Sequence, residues 1–442
     1  MLDFDIIQGR GVRNLADPAG GPDRGFAFEV RNPNYRGLAG SLVDGIEVRV
    51  DGETWDAEIP RWTIQGRELS IAELRASEGL RWQLDETATI TVPRPGGLAP
   101  GAHDLEVVIR LRAPYIPIEV QPSLFPASRK VVVVPPGSEG GFRYGVSLYS
   151  YTGEMNTVMT LEDAMADIAD LGASGIEILG EGNIPGYPEP SAAWVDRWHA
   201  LLAAYSLEPT NFGSWVDSRM WHDRDLTVEQ GTAQLAQDLR LAHRLGFSFV
   251  RPKFGVVSLD LVPHPIWEET VLRNLDLAAE LGVVICPEIH APTPLKHPVT
   301  EAYVELIERT GTEQFKLLID TGIFQTEPVD DGHPGFVGKV RPPHLEPLRV
   351  PPGDLREVMP HVAFFQAKFF EVAQDPETGA LVDLHIPWPE LVAVLQETGW
   401  TGWLSSEYEG RREPYRGRDQ VRRQHALIRG LESGSAQTGA SA

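Results

Sequence analysis

The feature that most constrains this chain is an alternation of short apolar runs with amphipathic helical segments, which fills its last two thirds. Eight runs rich in β-branched and aromatic residues are spread over residues 144–150, 174–180, 208–214, 247–255, 282–290, 315–322, 361–370 and 402–410. Between them lie segments such as LEDAMADIADLG, TVEQGTAQLAQDLRLAHRLG and IWEETVLRNLDLAAELG, whose apolar residues recur with the period of a helix and which end in glycine. Eight successive β/α units predict a (β/α)8 barrel of the TIM type.

An open, doubly wound α/β sheet is the alternative for the same pattern. In that fold a glycine-rich turn that binds a nucleotide commonly follows the first strand. No such turn follows the run YGVSLYS at residues 144–150. The barrel is therefore favoured, and polar residues at the C-terminal ends of its strands become candidates for the active site.

The sequence of the first part of the chain predicts strands with no helices between them. The segments FAFEVRN, GIEVRVDGE, ATITVPRPGG and HDLEVVIRLRAPY alternate apolar with polar residues and are separated by Gly, Pro and Asp. VVVVPPGSEGG reads as a last strand followed by a linker. We therefore predict an all-β, sandwich-like or barrel-like domain over residues 1–137, a barrel domain over residues 138–432 and a disordered tail over residues 433–442.

Charge and composition exclude several classes of partner. The formal net charge is −24, which disfavours binding to nucleic acid or to anionic membranes. No run approaches the roughly 20 apolar residues of a membrane helix, and the N-terminus lacks the pattern of a secretory signal, so a cytoplasmic location is expected. The single cysteine, Cys286, cannot form an internal disulfide and is expected to act as a small buried hydrophobe.

The segment CPEIHAP places a carboxylate and an imidazole at the end of the fifth run. Side chains alternate along a strand, so Glu288 and His290 share a face. Asp320, Gln366 and Glu407 hold similar positions on the next three runs. Three converging carboxylates would repel one another unless a cation lay between them, and oxygen donors favour Mn²⁺, with Mg²⁺ or Co²⁺ as alternatives. The competing interpretation is a barrel rim in which these carboxylates pair with arginines.

Other polar residues near strand ends suggest proton transfer and substrate binding. A neutral imidazole beside a cation suits His290 to proton transfer, although a histidine bonded to a backbone carbonyl is the alternative. Arg251 and Lys253 share a face of strand four and are predicted to contact substrate oxygens, unless they form a solvated rim. Trp215 and His222 follow strand three and are predicted to line the substrate site, but an aromatic residue that docks a helix is an equal alternative for Trp215.

Several motifs resemble the metal-dependent sugar isomerase/epimerase barrels related to xylose isomerase. GIEILG, PEIH, LLIDTGIF, QAK and EYEG carry this resemblance over residues 141–432. It implies that a Glu, an Asp, a His and a Glu from the last four strands bind one divalent ion. Glu288, Asp320 and Glu407 match three of these positions. The usual His-x-Lys appears here as Gln366-Ala367-Lys368, so Gln366 takes the third ligand position.

Further motifs are GFAFEVRNPNYRG, PRPGGLAPGAH and VIRLRAPYIP in the first part of the chain, and SLYSYTGEM and PEIHAP in the predicted barrel. The first three resemble the small β subunit of bacterial C-glycoside deglycosidases, and the last two resemble the barrel of the large subunit of these enzymes. The resemblance implies cleavage of 3-oxo-C-glycosides, or 3-oxo-O-glycosides, of aromatic aglycones, by enolate formation and β-elimination. It implies proton transfer by His290, whose position matches the family's Glu-x-His motif. We further predict Lys368 as a second catalytic residue and expect a homo-oligomer. The alternatives are a metal-dependent keto-sugar isomerase or epimerase, and a sugar-binding protein without catalysis.

Overall fold

The computed structural model describes residues 2–329, 346–413 and 415–434. The described part of the chain divides into two compact units. One comprises residues 2–135 together with Gln374–Leu381, and the other comprises the described residues of 136–373 and 382–434. Most of the predicted tail, residues 435–442, lies outside the described residues.

The first unit is built largely from short antiparallel strands. They are β1 (Arg13–Leu15), β2 (Gly25–Arg31), β3 (Leu38–Ala39), β4 (Val43–Val50), β5 (Glu53–Trp55), β6 (Arg61–Ile64), β7 (Arg67–Leu69), β8 (Arg81–Trp82), β9 (Thr87–Pro93), β10 (Gly101–Leu111) and β11 (Ser123–Val133), with one short helix, α1 (Ile71–Arg75). Two larger sheets form, in the orders β1-β2-β9-β6-β7 and β11-β10-β4-β5, and β3 pairs separately with β8. Phe28 and Ile90 from the first sheet share one apolar core with Ile46 and Ile109 from the second. The predicted β-rich domain is thereby confirmed as two sheets around a common core.

The second unit contains a parallel sheet that closes on itself. Its strands are β12 (Arg143–Ser147), β13 (Gly175–Leu179), β14 (Glu208–Val216), β15 (Phe249–Phe254), β16 (Val284–Ile285), β17 (Glu288–Ile289), β18 (Leu317–Asp320), β19 (Val362–Phe369) and β22 (Trp403–Tyr408). The order is β16-β15-β14-β13-β12-β22-β19-β18-β17. Outside the barrel sheet, β20 (Val372–Gln374) and β21 (Leu381–Asp383) form a two-stranded sheet at the ends of the segment Gln374–Leu381. Each of the eight predicted runs contains one barrel strand, with β16 and β17 sharing the fifth, so the predicted barrel is confirmed.

The fifth strand closes the barrel although it is interrupted at Cys286 and Pro287. Its first half, β16, pairs with β15, and its second half, β17, pairs with β18. Pro287 has no N–H to donate to a neighbouring strand, which accounts for the break in regular pairing. Cys286 is fully buried, and burial raises the pKa of its thiol, as expected for a small core residue.

Helices alternate with these strands. They are α2 (Leu161–Asp170), α3 (Gly180–Asn183), α4 (Ala192–Tyr205), α5 (Val228–Leu245), α6 (Trp267–Leu272), α7 (Leu275–Leu281), α8 (Pro298–Thr310), α9 (Leu355–Val358), α10 (Trp388–Glu397) and α11 (Arg416–Glu432). Thr227 and Gln230 form a capping box at the start of α5, and Gly246 ends it in a left-handed conformation. None of the helices in the described ranges has both the length and the apolar character needed to cross a bilayer.

The segment IWEETVLRNLDLAAELG, predicted as a single helix, is divided into α6 and α7 at Asn274. The buried Asn274 side chain donates from Nδ2 to the backbone oxygens of Thr270 at 2.8 Å and Thr232 at 3.2 Å. Asparagine side chains compete in this way with backbone hydrogen bonding. The apolar periodicity continues across the division, so it could not reveal the break.

A buried ionic network joins α2 to α11. Asp167 on α2 is fully buried and accepts hydrogen bonds from Arg422 Nη2 at 2.8 Å, Arg418 Nη2 at 3.2 Å and the Tyr151 hydroxyl at 2.9 Å. Burial opposes ionisation of Asp167, but the two guanidinium groups outweigh it and hold the pKa of this carboxyl well below its usual value. The network ties the first helix of the barrel to the last.

We expect Asp167→Ala to lower the free energy of unfolding by about 3–5 kcal/mol, since it removes the fully buried carboxylate that Arg418 and Arg422 share. Urea unfolding of both variants measures the difference from wild type. The control is Glu162→Ala, which removes a carboxylate lying 2.9 Å from Arg197 in an exposed pair and should cost less than about 1 kcal/mol. Equal losses for the two variants would contradict a special role for the buried network.

Candidate active site

A pocket of about 240 Å³ lies at the C-terminal ends of the barrel strands. Its lining residues are Tyr149, Leu179, Trp215, Arg251, Lys253, Glu288, His290, Lys368, Glu407 and Glu409. Asp320 and Gln366 are fully buried and contact residues of this lining. The structure thus brings together nine of the ten residues that the sequence placed at the site. The tenth, His222, is exposed on the loop after β14 and is not in the lining.

The parallel register of the last strands accounts for this convergence. Asp320 at the end of β18 is paired with Gln366 on β19, and Lys368, two residues further on, is paired with Glu407 on β22. Residues two apart on a strand face the same side, so Gln366 and Lys368 point the same way. The carboxylate, amide and ammonium groups of these four residues therefore lie close together on neighbouring strands.

Lys368 lies at the centre of the carboxylates. Its Nζ is 2.8 Å from Asp320 Oδ2, 2.8 Å from Glu409 Oε2 and 3.1 Å from Glu407 Oε2. Burial acts to lower the pKa of Lys368, but these negative charges outweigh it and raise the pKa well above its usual value. The lysine is therefore charged, and it compensates part of the negative charge of the site.

Glu288 is held by two basic side chains from β15. Its Oε2 is 3.2 Å from Arg251 Nη1 and 3.5 Å from Lys253 Nζ. Burial acts to raise the pKa of Glu288, but Lys253 and Arg251 hold it well below the usual value. The guanidinium of Arg251 also lies 5.6 Å from the centre of the Trp215 ring. The sequence analysis offered two interpretations, carboxylates that converge on a cation and carboxylates that pair with arginines. Glu288 shows that both arrangements are present in the site.

His290 is neutral, and its ring orientation is fixed by two contacts. Nδ1 lies 2.5 Å from the backbone oxygen of Ala291, and Nε2 lies 2.8 Å from Lys368 Nζ. Because a carbonyl oxygen only accepts hydrogen bonds and an ammonium only donates them, we assign the ring proton to Nδ1 and the lone pair to Nε2. Burial, followed by the charge of Lys368, lowers the pKa of His290 to about 3. His290 Nε2 is therefore unprotonated at the pocket, and its lone pair is directed at Lys368 Nζ.

The donor atoms fit a divalent cation. One ligand atom each from Glu288, His290 and Asp320 lie within 4.8 Å of one another. Gln366 adds a buried carbonyl oxygen, Oε1, that has no hydrogen-bond partner among the described residues. Carboxylate, amide and imidazole donors suit first-row divalent metals such as Mn²⁺ and Co²⁺. The cluster differs from the set inferred from sequence in that it includes His290, to which the sequence assigned proton transfer.

Two side chains of the site were not identified from the sequence. Glu177 on β13 is fully buried, and its Oε1 accepts a hydrogen bond from Gln366 Nε2 at 2.5 Å. Burial, followed by the charge of Glu407, raises the pKa of Glu177 to about 8. The hydroxyl of Tyr149 donates to Glu409 Oε1 at 2.8 Å. The available signal was a carboxylate inside the apolar run GIEILG, which pointed to Glu177 only weakly.

The structure is a closed (β/α)8 barrel in which carboxylates and an imidazole that could hold a metal ion meet at the C-terminal ends of the strands. Residues 165–431 match the family described as xylose isomerase-like TIM barrel. This match spans more than half of the chain, and the chain belongs to that family.

Relatives of both parts of the chain are deglycosidase subunits. Residues 2–115 match the family described as C-glycoside deglycosidase beta subunit. The chain is 26% identical over 323 residues to the 3'-dehydrocarminate deglycosidase alpha subunit of Microbacterium sp, a match covering 61% of this chain and 88% of the relative. It is 26% identical over 339 residues to the C-glycoside deglycosidase alpha subunit of Arthrobacter globiformis, covering 65% and 92%.

The β-rich part has a separate relative. It is 33% identical over 134 residues to the C-glycoside deglycosidase beta subunit of Eubacterium cellulosolvens, which covers 30% of this chain and 90% of that subunit. One polypeptide thus carries a β-subunit-like part followed by an α-subunit-like part. The resemblance inferred from the sequence motifs is confirmed.

Proposed function

We propose that this protein is a metal-dependent lyase that cleaves 3-oxo-C-glycosides, or 3-oxo-O-glycosides, of aromatic aglycones by β-elimination. The observation that carries the proposal is a neutral imidazole beside a candidate cation site, within a barrel homologous to deglycosidase α subunits. Homology to the β subunit in the same chain supports the same activity.

The chemistry follows from the acidity of a carbon next to a ketone. In a 3-oxo-glycoside the C2 proton is adjacent to the C3 carbonyl, and the aglycone is attached to C1. His290 Nε2 accepts the C2 proton, the electron pair forms the C1–C2 double bond, and the C1–aglycone bond breaks. The leaving carbon or oxygen of the aglycone then takes up a proton. The products are an unsaturated keto-sugar and the free aglycone, and no water is consumed.

The residues divide into three roles in this proposal. Glu288, Asp320, Gln366 and Glu407 hold the divalent ion, with His290 Nε2 within reach of the same cluster. When bound, the ion supplies Lewis-acid polarisation of the sugar's keto oxygen. Lys368 holds Asp320 and Glu407 in place and donates to His290 Nε2 in the resting site. This hydrogen bond breaks when Nε2 takes up the C2 proton, and His290 then gives that proton to the leaving group.

The aglycone side of the pocket is proposed to be aromatic and polar. Trp215 and Tyr149 offer aromatic surface to the pocket, and the basic side chains of Arg251 and Lys253 belong to the same lining. Such a wall suits a phenolic aglycone, whose negative charge develops as it leaves. The role of the exposed His222 in substrate binding stays a prediction.

The proposal includes the identity of the metal ion. Mn²⁺ is the proposed ion, because three of the four proposed ligands are carboxylates and the fourth is an amide oxygen.

We place the boundary between the β-rich domain and the barrel domain near residue 137, and we propose a structural role for the β-rich domain. A homo-oligomer in the cytoplasm is proposed, and exposed apolar side chains in the β-rich part, such as Tyr115, Ile118 and Leu124, support self-association.

The proposal is tested by incubating the Mn²⁺-loaded protein with a matched pair of C-glycosides, one oxidised at C3 and one not. We expect free aglycone from the 3-oxo compound alone, because only its C2 proton is acidified. Release from both compounds, or from neither, would contradict the proposal. Solvent deuterium in a recovered sugar without aglycone release would indicate a keto-sugar epimerase instead, and metal-independent binding without turnover would indicate a sugar-binding protein.

A further inference from the structure

Glu177 is a buried carboxyl group to which the proposed reaction assigns no role. It lies on β13 between the fully buried Ile176 and Ile178. Burying a carboxyl group among apolar residues is costly unless a specific contact compensates for it. Its Oε1 contacts the side chain of Gln366 on β19, three strands away in the barrel order, and the charge of Arg251 also favours its ionised form.

The Gln366 amide is held on its nitrogen side by two carboxyl groups. Nε2 donates to Glu177 Oε1 at 2.5 Å and to Glu407 Oε1 at 3.2 Å. The NH₂ group has two protons, and these two contacts use both. Exchanging the nitrogen and oxygen by a half-turn of the amide would bring the carbonyl oxygen against Glu407 Oε1, an acceptor whose carboxylate pairs with Lys368. The two carboxyl groups together therefore favour the orientation in which Nε2 faces them.

This orientation leaves the carbonyl oxygen as the unused atom. Gln366 Oε1 is buried and has no hydrogen-bond partner among the described residues. A buried carbonyl oxygen without a partner is unfavourable, and such groups in native structures call for an explanation. Glu407 is held as well, since its second oxygen, Oε2, contacts Lys368 at 3.1 Å. The carbonyl oxygen of Gln366 is thus kept available next to the carboxylates of the site.

We propose that Glu177 is a positioning residue that fixes the Gln366 amide so that its Oε1 serves as a ligand to the divalent cation. This inference rests on the proposed function, because it needs the cation site. Glu177 does not touch the cation or the substrate and acts through Gln366. Removing it frees the amide to rotate, so that the ligand oxygen is lost for part of the time.

The test is a double-mutant cycle in which the dissociation constant for Mn²⁺ is measured by titration calorimetry on the full-length protein. We expect Glu177→Leu to weaken Mn²⁺ binding by about 10- to 100-fold, the usual effect of removing a residue that orients a metal ligand. Gln366→Leu should weaken it at least as much. In the double variant, Glu177→Leu should add no further loss, because the group through which it acts is gone.

A conservative variant provides the matched control. Glu177→Gln keeps an acceptor oxygen for Gln366 Nε2 and should restore binding to within about threefold of wild type, as expected when the hydrogen bond rather than the charge matters. Circular dichroism establishes that each variant is folded. If Glu177→Leu does not fold, Glu177→Ala takes its place in the cycle with the same expected result.

The outcomes separate this inference from the proposed function. An unchanged dissociation constant in the Leu or Ala variant would overturn the inference, and so would an equal loss with and without Gln366, which would show that Glu177 acts independently. In both cases wild-type Mn²⁺ binding leaves the proposed function standing. Absence of Mn²⁺ binding by the wild-type protein would overturn both.

Discussion

Asp320→Asn is expected to reduce the rate of aglycone release from a 3-oxo-C-glycoside by at least about 100-fold, because Lewis-acid stabilisation by a bound ion contributes several kcal/mol. Asp320 is fully buried, and its carboxylate belongs to the ligand cluster with Glu288 and His290. Asparagine has nearly the same shape but offers no negative charge to a cation. Initial rates with Mn²⁺ in excess measure the loss.

The control for this variant is Asp196→Asn, which makes the same chemical change at an exposed position on α4. It should leave the rate unchanged. Burial raises the pKa of Asp320 well above its usual value, and Lys368 opposes this shift. A bound divalent ion would add to the opposition and favour the carboxylate form. An Asp320→Asn variant that keeps most of the wild-type rate would show that the reaction does not use this cluster.

His290→Gln is expected to lower the rate of aglycone release by about 10²- to 10⁴-fold, the range found when a general acid or base is removed. Glutamine fills similar space but cannot accept and return a proton near neutral pH. If His290 acts only as the proton carrier, Mn²⁺ affinity in this variant stays close to that of wild type. If this variant loses both the rate of aglycone release and Mn²⁺ affinity, His290 is a metal ligand. Its place in the cluster with Glu288 and Asp320 allows that role.

His199→Gln is the matched control for His290→Gln. His199 is exposed on α4 and bonds through Nε2 to the backbone oxygen of Arg244 at 3.1 Å, away from the pocket. This variant should keep the full rate. A His290→Gln variant that retains more than a tenth of the wild-type rate would exclude His290 as the proton carrier.

The barrel and much of its site could be predicted because both depend on periodicity. Strand runs alternate with helical runs, and the end of each run marks the same end of the barrel. Glu288, Asp320 and Glu407 could therefore be placed together without knowledge of any contact. The break of the fifth strand at Pro287 and the division of a helix at Asn274 were missed, since the apolar pattern continues through both.

Contacts that depend on three-dimensional convergence were not accessible from the sequence. Lys368 was recognised as a strand-end residue, but its place among three carboxylates depends on the register of β18, β19 and β22. Glu177 comes from β13, on the far side of β12 and β22 from Gln366 in the strand order. A single carboxylate in an apolar run gives no indication of such a partner. The exposure of His222 depends on a loop conformation, which periodicity does not determine.

The number of metal ions bound per chain is the most direct test of the central claim. The claim is that Glu288, Asp320, Gln366 and Glu407 form a cation site on which activity depends. Wild-type protein and the Asp320→Asn variant are stripped with chelator, dialysed together against Mn²⁺ and analysed for bound metal and for aglycone release. We predict about one ion per wild-type chain, much less in the variant, and activity that returns in proportion to the bound ion. Full activity in the stripped wild-type protein, or equal metal content in the two proteins, would contradict the proposal that activity depends on a cation bound at this site.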